Sequence, residues 1–245
     1  MGIRKHFEFN GKSSLDYGLY ITGSSTYNFT SKSIEKMSVP GRNGDLLVSN
    51  DRYENQTYTI TVGFFDTSNF HEKARNIRNW LMSADGYCRL EDDYHPDEYR
   101  MAVYTGGADI SVTDLVHGEF ELSFDCKPQH FLKSGEIKQT FTTTGDIKGS
   151  ENQIYLAEPL VRIYGTGTLT IGLGTITVLK AGTSYIDIDC AECYAYEGYN
   201  NRNENISVSF NSQEHAFPKI GAESKHIAFP STITKVEVTP RWWLL

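Results

Sequence analysis

Residues 68–93 read SNFHEKARNIRNWLMSADGYCRLEDD, and this stretch decides how the rest of the chain is interpreted. Its first part, from Ser68 to Ser83, has apolar residues at helical spacing, which predicts a helix with one face turned to a core. The apolar positions are Phe70, Ala74, Ile77 and Trp80 or Leu81. Asn69, with Glu72 three residues later, fits a capping box, and Ser68 is an equally good cap. The strand pattern that follows places this helix within a chain that is otherwise β.

The remainder of the chain alternates apolar and polar residues with the period of two that half-buried β-strands require. Gly118–Cys126 is the clearest case in the first half. In the second half, Thr168–Ile171 and Thr175–Val178 flank a turn that contains two glycines, and they predict a hairpin. Short strands with no helices to cover them favour a β-sandwich. We therefore predict a mainly β chain.

A polar stretch rich in glycine and threonine, residues 140–156, separates the two halves. Such a composition is typical of a connection between domains. It predicts a first domain of residues 1–138, which contains the helix at 68–83, and a second domain of residues 139–245. The length of 245 residues is sufficient for two modest domains.

The chain is acidic, with a formal net charge of −8. No local cluster of lysine and arginine offsets this charge, so specific binding of nucleic acid is not expected. The first residues lack the apolar run of a signal peptide, and nowhere do 18 apolar residues occur together. We therefore expect synthesis in a cytoplasm and no membrane partner. If the chain lines a pore, acidic walls would let DNA slide past without adhering.

Two sequence features contain residue types that metal binding or acid–base catalysis needs. Cys190 and Cys193 have metal-ligand spacing, but no second pair completes a zinc site, so Cys190 is predicted to be a buried strand residue. The carboxylates of Glu91–Asp93 and Asp97–Glu98 are predicted to be solvated turn residues. No nucleophile elbow, phosphate-binding loop or zinc-protease motif occurs. We predict that the chain is not an enzyme and has no catalytic, cofactor-binding or metal-binding residues.

The segment 194–205 is a candidate sugar-binding loop. Aromatic faces stack on sugar rings, and amide side chains hydrogen-bond sugar hydroxyls. The residues with this chemistry are Tyr194, Tyr196, Tyr199 and Asn200. The alternative is an ordinary strand–turn–strand, in which the tyrosines pack and the asparagines form the turn.

A series of short motifs resembles the distal tail proteins of long-tailed phages that infect Gram-positive bacteria. In the first half these motifs are Tyr17–Tyr20, Val39–Leu46, Ala74–Leu81, Gly86–Asp93 and Phe120–Pro128. In the second half they are Glu158–Leu160, Ile188–Cys190 and Val238–Trp243. The resemblance rests on their order and spacing, which extend over nearly the whole chain.

This resemblance implies an N-terminal β-sandwich with one α-helix, followed by a C-terminal galectin-like β-sandwich. It implies a structural baseplate hub at the virion tail tip, assembled in the host cytoplasm as a homo-hexameric ring. The ring would connect the tail tube protein to the tail-associated lysin or tip fibre protein and let DNA pass. Receptor-binding proteins are further partners of relatives. The alternative function is a carbohydrate-binding host adhesion module, although the sugar-binding residue set of galectins is not found in this chain.

The turn-rich segment Pro40–Asp45 is the candidate ring interface. Asn43–Gly44 within it predicts a type I′ hairpin turn. A two-stranded ribbon is marginally stable alone and gains by pairing with a neighbour, so Arg42, Asn43, Gly44 and Asp45 are predicted to contact the next subunit. The alternative is a solvent-exposed turn.

Overall fold

The computed structural model describes residues 4–64, 68–106, 119–149, 155–210, 217–223 and 225–245. The chain divides into two compact units, Met1–His130 together with Leu245, and Phe131–Leu244. The predicted domains, 1–138 and 139–245, stay a prediction, because compactness alone does not show where an independently folding domain begins.

The first unit is mainly β. Its described elements are β1 (Phe7–Phe9), β2 (Lys12–Ser13), a 3-10 turn (Ser14–Tyr17), β3 (Leu19–Ile21), β4 (Lys32–Met37), β5 (Leu46–Tyr53), β6 (Gln56–Phe64), α1 (Phe70–Met82), β7 (Cys88–Asp92), β8 (Glu98–Tyr104) and β9 (Glu119–Leu132). Seven of these strands form a sheet in the order β2-β1-β7-β8-β9-β6-β3, and β4 pairs with β5 in a separate hairpin. The sheet curls until its ends approach each other, and the N–H of Ile21 donates to the carbonyl of Lys5 over 2.8 Å.

Side chains that alternate along the strands fill the inside of this curled sheet. On β9, Phe120, Leu122, Phe124 and Cys126 are buried, as the period of two predicts. They pack with a matching set from the other strands. That set is Phe7, Phe9, Leu19, Ile21, Tyr58, Ile60, Val62, Leu90 and Ala102. The apolar area removed from water is the main favourable term in the folding of this unit.

Helix α1 begins two residues later, and ends one residue earlier, than the predicted span of 68–83. Asn69 is the N-cap residue, but its side chain makes no capping hydrogen bond and the capping-box prediction is wrong. The backbone of Asn69 has a φ of 53°, a left-handed conformation that asparagine tolerates better than most residues. Its carbonyl instead accepts the N–H groups of Glu72 and Lys73 over 3.0 and 3.1 Å.

The helix contributes Ile77, Trp80 and Leu81 to the core, each no more than 2% exposed. The ring of Trp80 stacks on Tyr17 with a centroid distance of 4.3 Å and on Phe7 at 5.6 Å. Its indole N–H donates to the carbonyl of Phe9 over 3.1 Å, so the polar atom of this large ring is satisfied inside the core.

We expect Trp80→Ala to lower the free energy of unfolding by about 3–5 kcal/mol, because it leaves a large cavity between helix and sheet. Urea denaturation followed by circular dichroism measures the change. The control is Met82→Ala on the same helix, where the side chain is 59% exposed, and its effect should stay within about 0.5 kcal/mol. A loss no larger than that of the control would show that Trp80 does not hold the helix.

The second unit is also mainly β. Its described elements are a 3-10 turn (Lys133–Glu136), β10 (Gln139–Phe141), β11 (Gly145–Asp146), β12 (Leu160–Gly165), β13 (Gly167–Ile171), β14 (Gly174–Val178), β15 (Ile186–Asp189), β16 (Tyr194–Glu197), β17 (Asn200–Asn201), a 3-10 turn (Asn203–Asn205), β18 (Ile206–Phe210), β19 (His226–Ala228), β20 (Ile233–Thr239) and β21 (Trp243–Leu244). Apart from β21, the described strands form one sheet in the order β10-β20-β12-β15-β16-β17 and another in the order β11-β19-β13-β14-β18.

These two sheets share one hydrophobic core, which is the arrangement of a β-sandwich. One sheet contributes Val161, Ile163, Ile186, Ile188, Val236 and Val238. The other contributes Leu169, Ile171, Ile176, Val178 and Ile227. The predicted hairpin is present as β13–β14, with Ile171 opposite Gly174 across a two-residue turn. The prediction of a mainly β chain with β-sandwich architecture is confirmed.

Candidate interaction surfaces

The hairpin of β4 and β5 stands apart from the curled sheet, and residues 32–53 are called the arm below. Its strands pair with each other in antiparallel register. Five large apolar side chains on the two strands of the arm are more than a third exposed, although such residues are ordinarily in a core. They are Ile34 (43%), Met37 (48%), Leu46 (40%), Leu47 (59%) and Val48 (37%).

The register distributes these side chains over both faces of the arm. Residues opposite each other in an antiparallel pair point to the same face, and so do residues two apart on one strand. Lys36 is opposite Leu47, and Ile34 lies on that same face, which is called the lysine face below. Glu35 is opposite Val48 and Met37 is opposite Leu46 on the other face. Each face therefore presents apolar surface, which is typical of a protein contact site.

The predicted interface residues lie at the tip of the arm. Arg42, Asn43, Gly44 and Asp45 are all exposed and belong to the connection between β4 and β5. The arm thus brings them together as one surface element. Whether this element contacts another subunit stays a prediction.

The type I′ turn predicted at Asn43–Gly44 is wrong. A type I′ turn needs a positive φ at both residues, and only Gly44, at 81°, has one. The connection turns earlier: the N–H of Arg42 donates to the carbonyl of Val39 over 3.2 Å, and Gly41 between them has a φ of 80°. Proline followed by glycine with positive φ is the pattern of a type II turn. Pro40 therefore decides the turn.

A groove lies between residues 26–31 and strand β6, and it encloses about 740 Å³. Tyr27 and Phe29 belong to one wall and are 69% and 88% exposed. The β6 side is lined by Thr57, Thr59 and Thr61, which alternate with the buried residues of that strand. Glu121 of β9 lies beside them and is exposed. The groove thus combines aromatic surface, hydroxyl groups and one carboxylate.

Hydrogen bonds attach the aromatic wall of the groove to the chain in its middle and at its C-terminal end. The side-chain amide of Asn28 donates to the carbonyl of Thr57. At the root of the arm, the N–H of Glu54 donates to the carbonyl of Ser31 over 2.9 Å. This wall was not predicted from the sequence. Tyr27 and Phe29, two apart within a run of serine and threonine, were the available signal.

The carboxylate of Asp92 is buried, so its prediction as a solvated turn residue is wrong. The hydroxyl of Tyr58 donates to Asp92 over 3.0 Å, and the guanidinium of Arg100 does so over 3.1 Å. The Nδ1 of His95 lies 2.9 Å from the same carboxylate. Burial alone would raise the pKa of Asp92, but the charges of His95 and Arg100 and these hydrogen bonds outweigh it and lower that pKa. Sequence missed the cluster because its members come from β6, β7, the connection after β7, and β8.

Replacing Asp92 with asparagine is expected to lower the free energy of unfolding at pH 7 by about 3 kcal/mol, because Arg100 loses its buried carboxylate partner. The pKa of Asp92 is depressed in the folded state. The stabilisation by this carboxylate is therefore complete above pH 3.8, the ordinary pKa of aspartate. It is lost as the pH falls through the lower pKa of the folded state. The wild type and Asp92→Asn should therefore differ fully in free energy of unfolding at pH 7, and this difference should become smaller below about pH 4.

Urea denaturation between about pH 3 and pH 7 measures this dependence. Asp97→Asn removes an exposed carboxylate from the same loop and should leave stability nearly unchanged at each pH. A stability difference for Asp92→Asn that is independent of pH would contradict the role assigned to its charge.

In the second unit, the predicted sugar-binding residues surround one tight hairpin. Tyr194 and Tyr196 lie on β16, and their rings stack on each other at a centroid distance of 5.1 Å. Tyr199 is fully exposed in the turn to β17, where Asn200 is opposite Glu197. The structure therefore brings two tyrosines together, leaves Tyr199 at the tip and places Asn200 in the strand pair.

The cysteine pair of the second unit does not form a joint site in the described residues. Cys190 is buried, which raises the pKa of its thiol, and Cys193 is exposed. The Sγ of Cys193 lies 3.5 Å from the carbonyl oxygen of Cys190. Within the described ranges there is no group of three or more His, Cys, Asp or Glu side chains that could hold a metal ion.

Two motifs from the end of the chain have structural roles in the second unit. The guanidinium of Arg241 donates two hydrogen bonds of 2.7 Å to the carboxylate of Asp189. Trp242 is 1% exposed, and its carbonyl accepts the N–H of Leu132 over 2.8 Å. These contacts join the last residues to β15 and to the start of the same unit. In the part of the chain that the structure describes, no helix has the length and apolarity to cross a membrane.

Comparison with known proteins now identifies the chain. A family model described as phage tail protein N-terminal domain matches residues 3–128. The crystal structure of SPP1 Dit (gp 19.1), described as a paradigm of the hub adsorption apparatus in phages that infect Gram-positive bacteria, has the same fold. The similarity covers 98% of this chain and 99% of that chain, with a TM-score of 0.59 and 12% identity. No curated protein matches the chain. Because the family model covers more than half of the sequence, the chain belongs to the family of phage tail proteins with this N-terminal domain.

Proposed function

We propose that this tail protein is the hub of the tail tip, a non-enzymatic protein that assembles as a hexameric ring. Residues 1–138 form the ring and residues 139–245 are the peripheral domain. The ring joins the tail tube protein to the tail-associated lysin or tip fibre protein, and receptor-binding proteins dock on it. The chain is made in the host cytoplasm and resides at the virion tail tip.

The observation that carries this proposal is the arm. An isolated two-stranded ribbon is marginal in water, and this one exposes apolar side chains on both faces. Water contact with these side chains is unfavourable, and burial against another protein surface removes it. An arm of this kind is therefore expected to be buried in an assembly, with Arg42–Asp45 at its tip as contact residues.

The negative net charge of the chain supports the proposal that DNA passes through such a ring. Six copies carry a formal charge of −48, six times the −8 of one chain. A lumen that shares this charge repels the phosphate backbone, so DNA passes without adhering to the wall.

The first test is the mass in solution, measured by light scattering and native mass spectrometry. A hexamer has a mass of about 166 kDa, six times the 27.7 kDa of one chain. Leu47→Asp should prevent assembly, since it places a charge in a surface that must be buried. The matched control is Leu179→Asp, in the second unit, where the leucine is 62% exposed compared with 59% for Leu47. Wild-type protein that stays a single copy at high concentration contradicts the proposal.

A second candidate function, host adhesion through sugar binding, is favoured by the complete exposure of Tyr199. An aromatic ring at the tip of a tight turn is free to stack on a sugar. If this is the function, Tyr199→Ala should reduce binding to host cell-wall saccharides on a glycan array by at least about tenfold, the scale of one lost aromatic contact. Leu179→Ala, which shortens an exposed apolar side chain of the same unit outside this hairpin, is the control. No binding by the wild-type protein would exclude this candidate.

A further inference from the structure

A closed ring needs two different surfaces on every copy, because each subunit contacts its neighbours head to tail. We propose that the arm of one copy docks in the groove between residues 26–31 and β6 of the next copy. In this contact Lys36 of the arm lies against Glu121 beside the groove. This inference rests on the proposed function, in which the arm is the ring interface, and it names the surface that receives the arm.

The groove has the chemistry of a receiving surface. Its wall exposes the rings of Tyr27 and Phe29, which are more exposed than the apolar side chains of the arm itself. Asn28 fixes this wall to β6, so the rings are held in place before any partner arrives. The arm starts directly after this wall, and Ile34 and Leu47 are still exposed. The arm of the same copy therefore does not fill its own groove.

The lysine face of the arm matches the groove in charge. It carries Lys36 beside the exposed side chains of Ile34 and Leu47, and the groove has Glu121 beside the wall of Tyr27 and Phe29. Across the described part of the chain, Lys36 makes no ion pair, and neither does Glu121. The opposite face of the arm carries Glu35, which would meet Glu121 with like charge. Charge therefore selects the lysine face for the groove.

The two kinds of contact have separate roles. Burial of Ile34, Leu47 and the aromatic wall supplies most of the affinity, because an exposed ion pair contributes little by itself. The Lys36–Glu121 pair selects the face and the register, since the wrong arrangement places like charges together.

Disulfide cross-linking tests the contact directly, in a Cys193→Ser background that removes the exposed native thiol. Lys36→Cys and Glu121→Cys are prepared as separate full-length proteins, mixed and oxidised. The proposal predicts covalent dimers in the mixture and none above background in either protein alone. Lys180→Cys, an exposed lysine of the second unit, replaces Lys36→Cys in the control mixture, which should give no dimer.

Charge reversal is the second measurement. Lys36→Glu or Glu121→Lys should raise the concentration needed for half-assembly by about tenfold, and the double variant should restore it to within about threefold of wild type. Wild-type rings that neither cross-link at these positions nor respond to charge reversal overturn the inference and leave the proposed function standing. An intramolecular disulfide in the Lys36→Cys/Glu121→Cys double variant, without dimers, also overturns it. Wild-type protein without rings overturns both.

Discussion

Burial of the Trp80 indole is the interaction on which the first unit depends. A curled sheet needs large side chains to fill its interior at the density of a protein core. The helix supplies them: Trp80 stacks between Tyr17 and Phe7, and its N–H reaches the carbonyl of Phe9 on β1. The Trp80 ring thus joins the helix to β1 and to the 3-10 turn that follows β2. This core is complete without the arm, so none of the apolar residues of the arm are needed to fold the unit.

The apolar residues of the first unit therefore have two separate roles. Those that alternate on the sheet are inside and unavailable to partners. Those on the arm and on the wall at Tyr27 and Phe29 are exposed and lie outside the buried core. A protein retains exposed apolar surface of this extent where assembly covers it. The buried Asp92 cluster lies beside this wall, with the ring of His95 4.9 Å from that of Tyr27, so packed polar residues support the wall.

The spacing of apolar residues correctly predicted the elements that depend on residues close together in the sequence. The helix was predictable because Ile77, Trp80 and Leu81 repeat at its period, and β9 because Phe120 to Cys126 alternate. Local pattern failed where a competing residue or a distant partner decided the outcome. Pro40 moved the turn away from Asn43–Gly44. Asp92 is buried because Arg100 reaches it from the neighbouring strand β8 and Tyr58 reaches it from β6, although its own sequence context is that of a polar turn.

The sequence alone determined the β character of the chain, its one predicted helix and the resemblance to phage tail proteins. Periodicity and motif order are properties of the sequence itself, so they can be read without a structure. Only the tertiary structure decided which apolar strands are core and which form a free arm. Leu46–Val48 and Ile60–Val62 are similar in composition. The first segment is exposed and the second contributes buried side chains, because only the second has other strands of the sheet packed against it. The groove likewise exists only because residues 26–31 fold against β6, since its two walls are far apart in the chain and are joined by the hydrogen bond from Asn28 to Thr57.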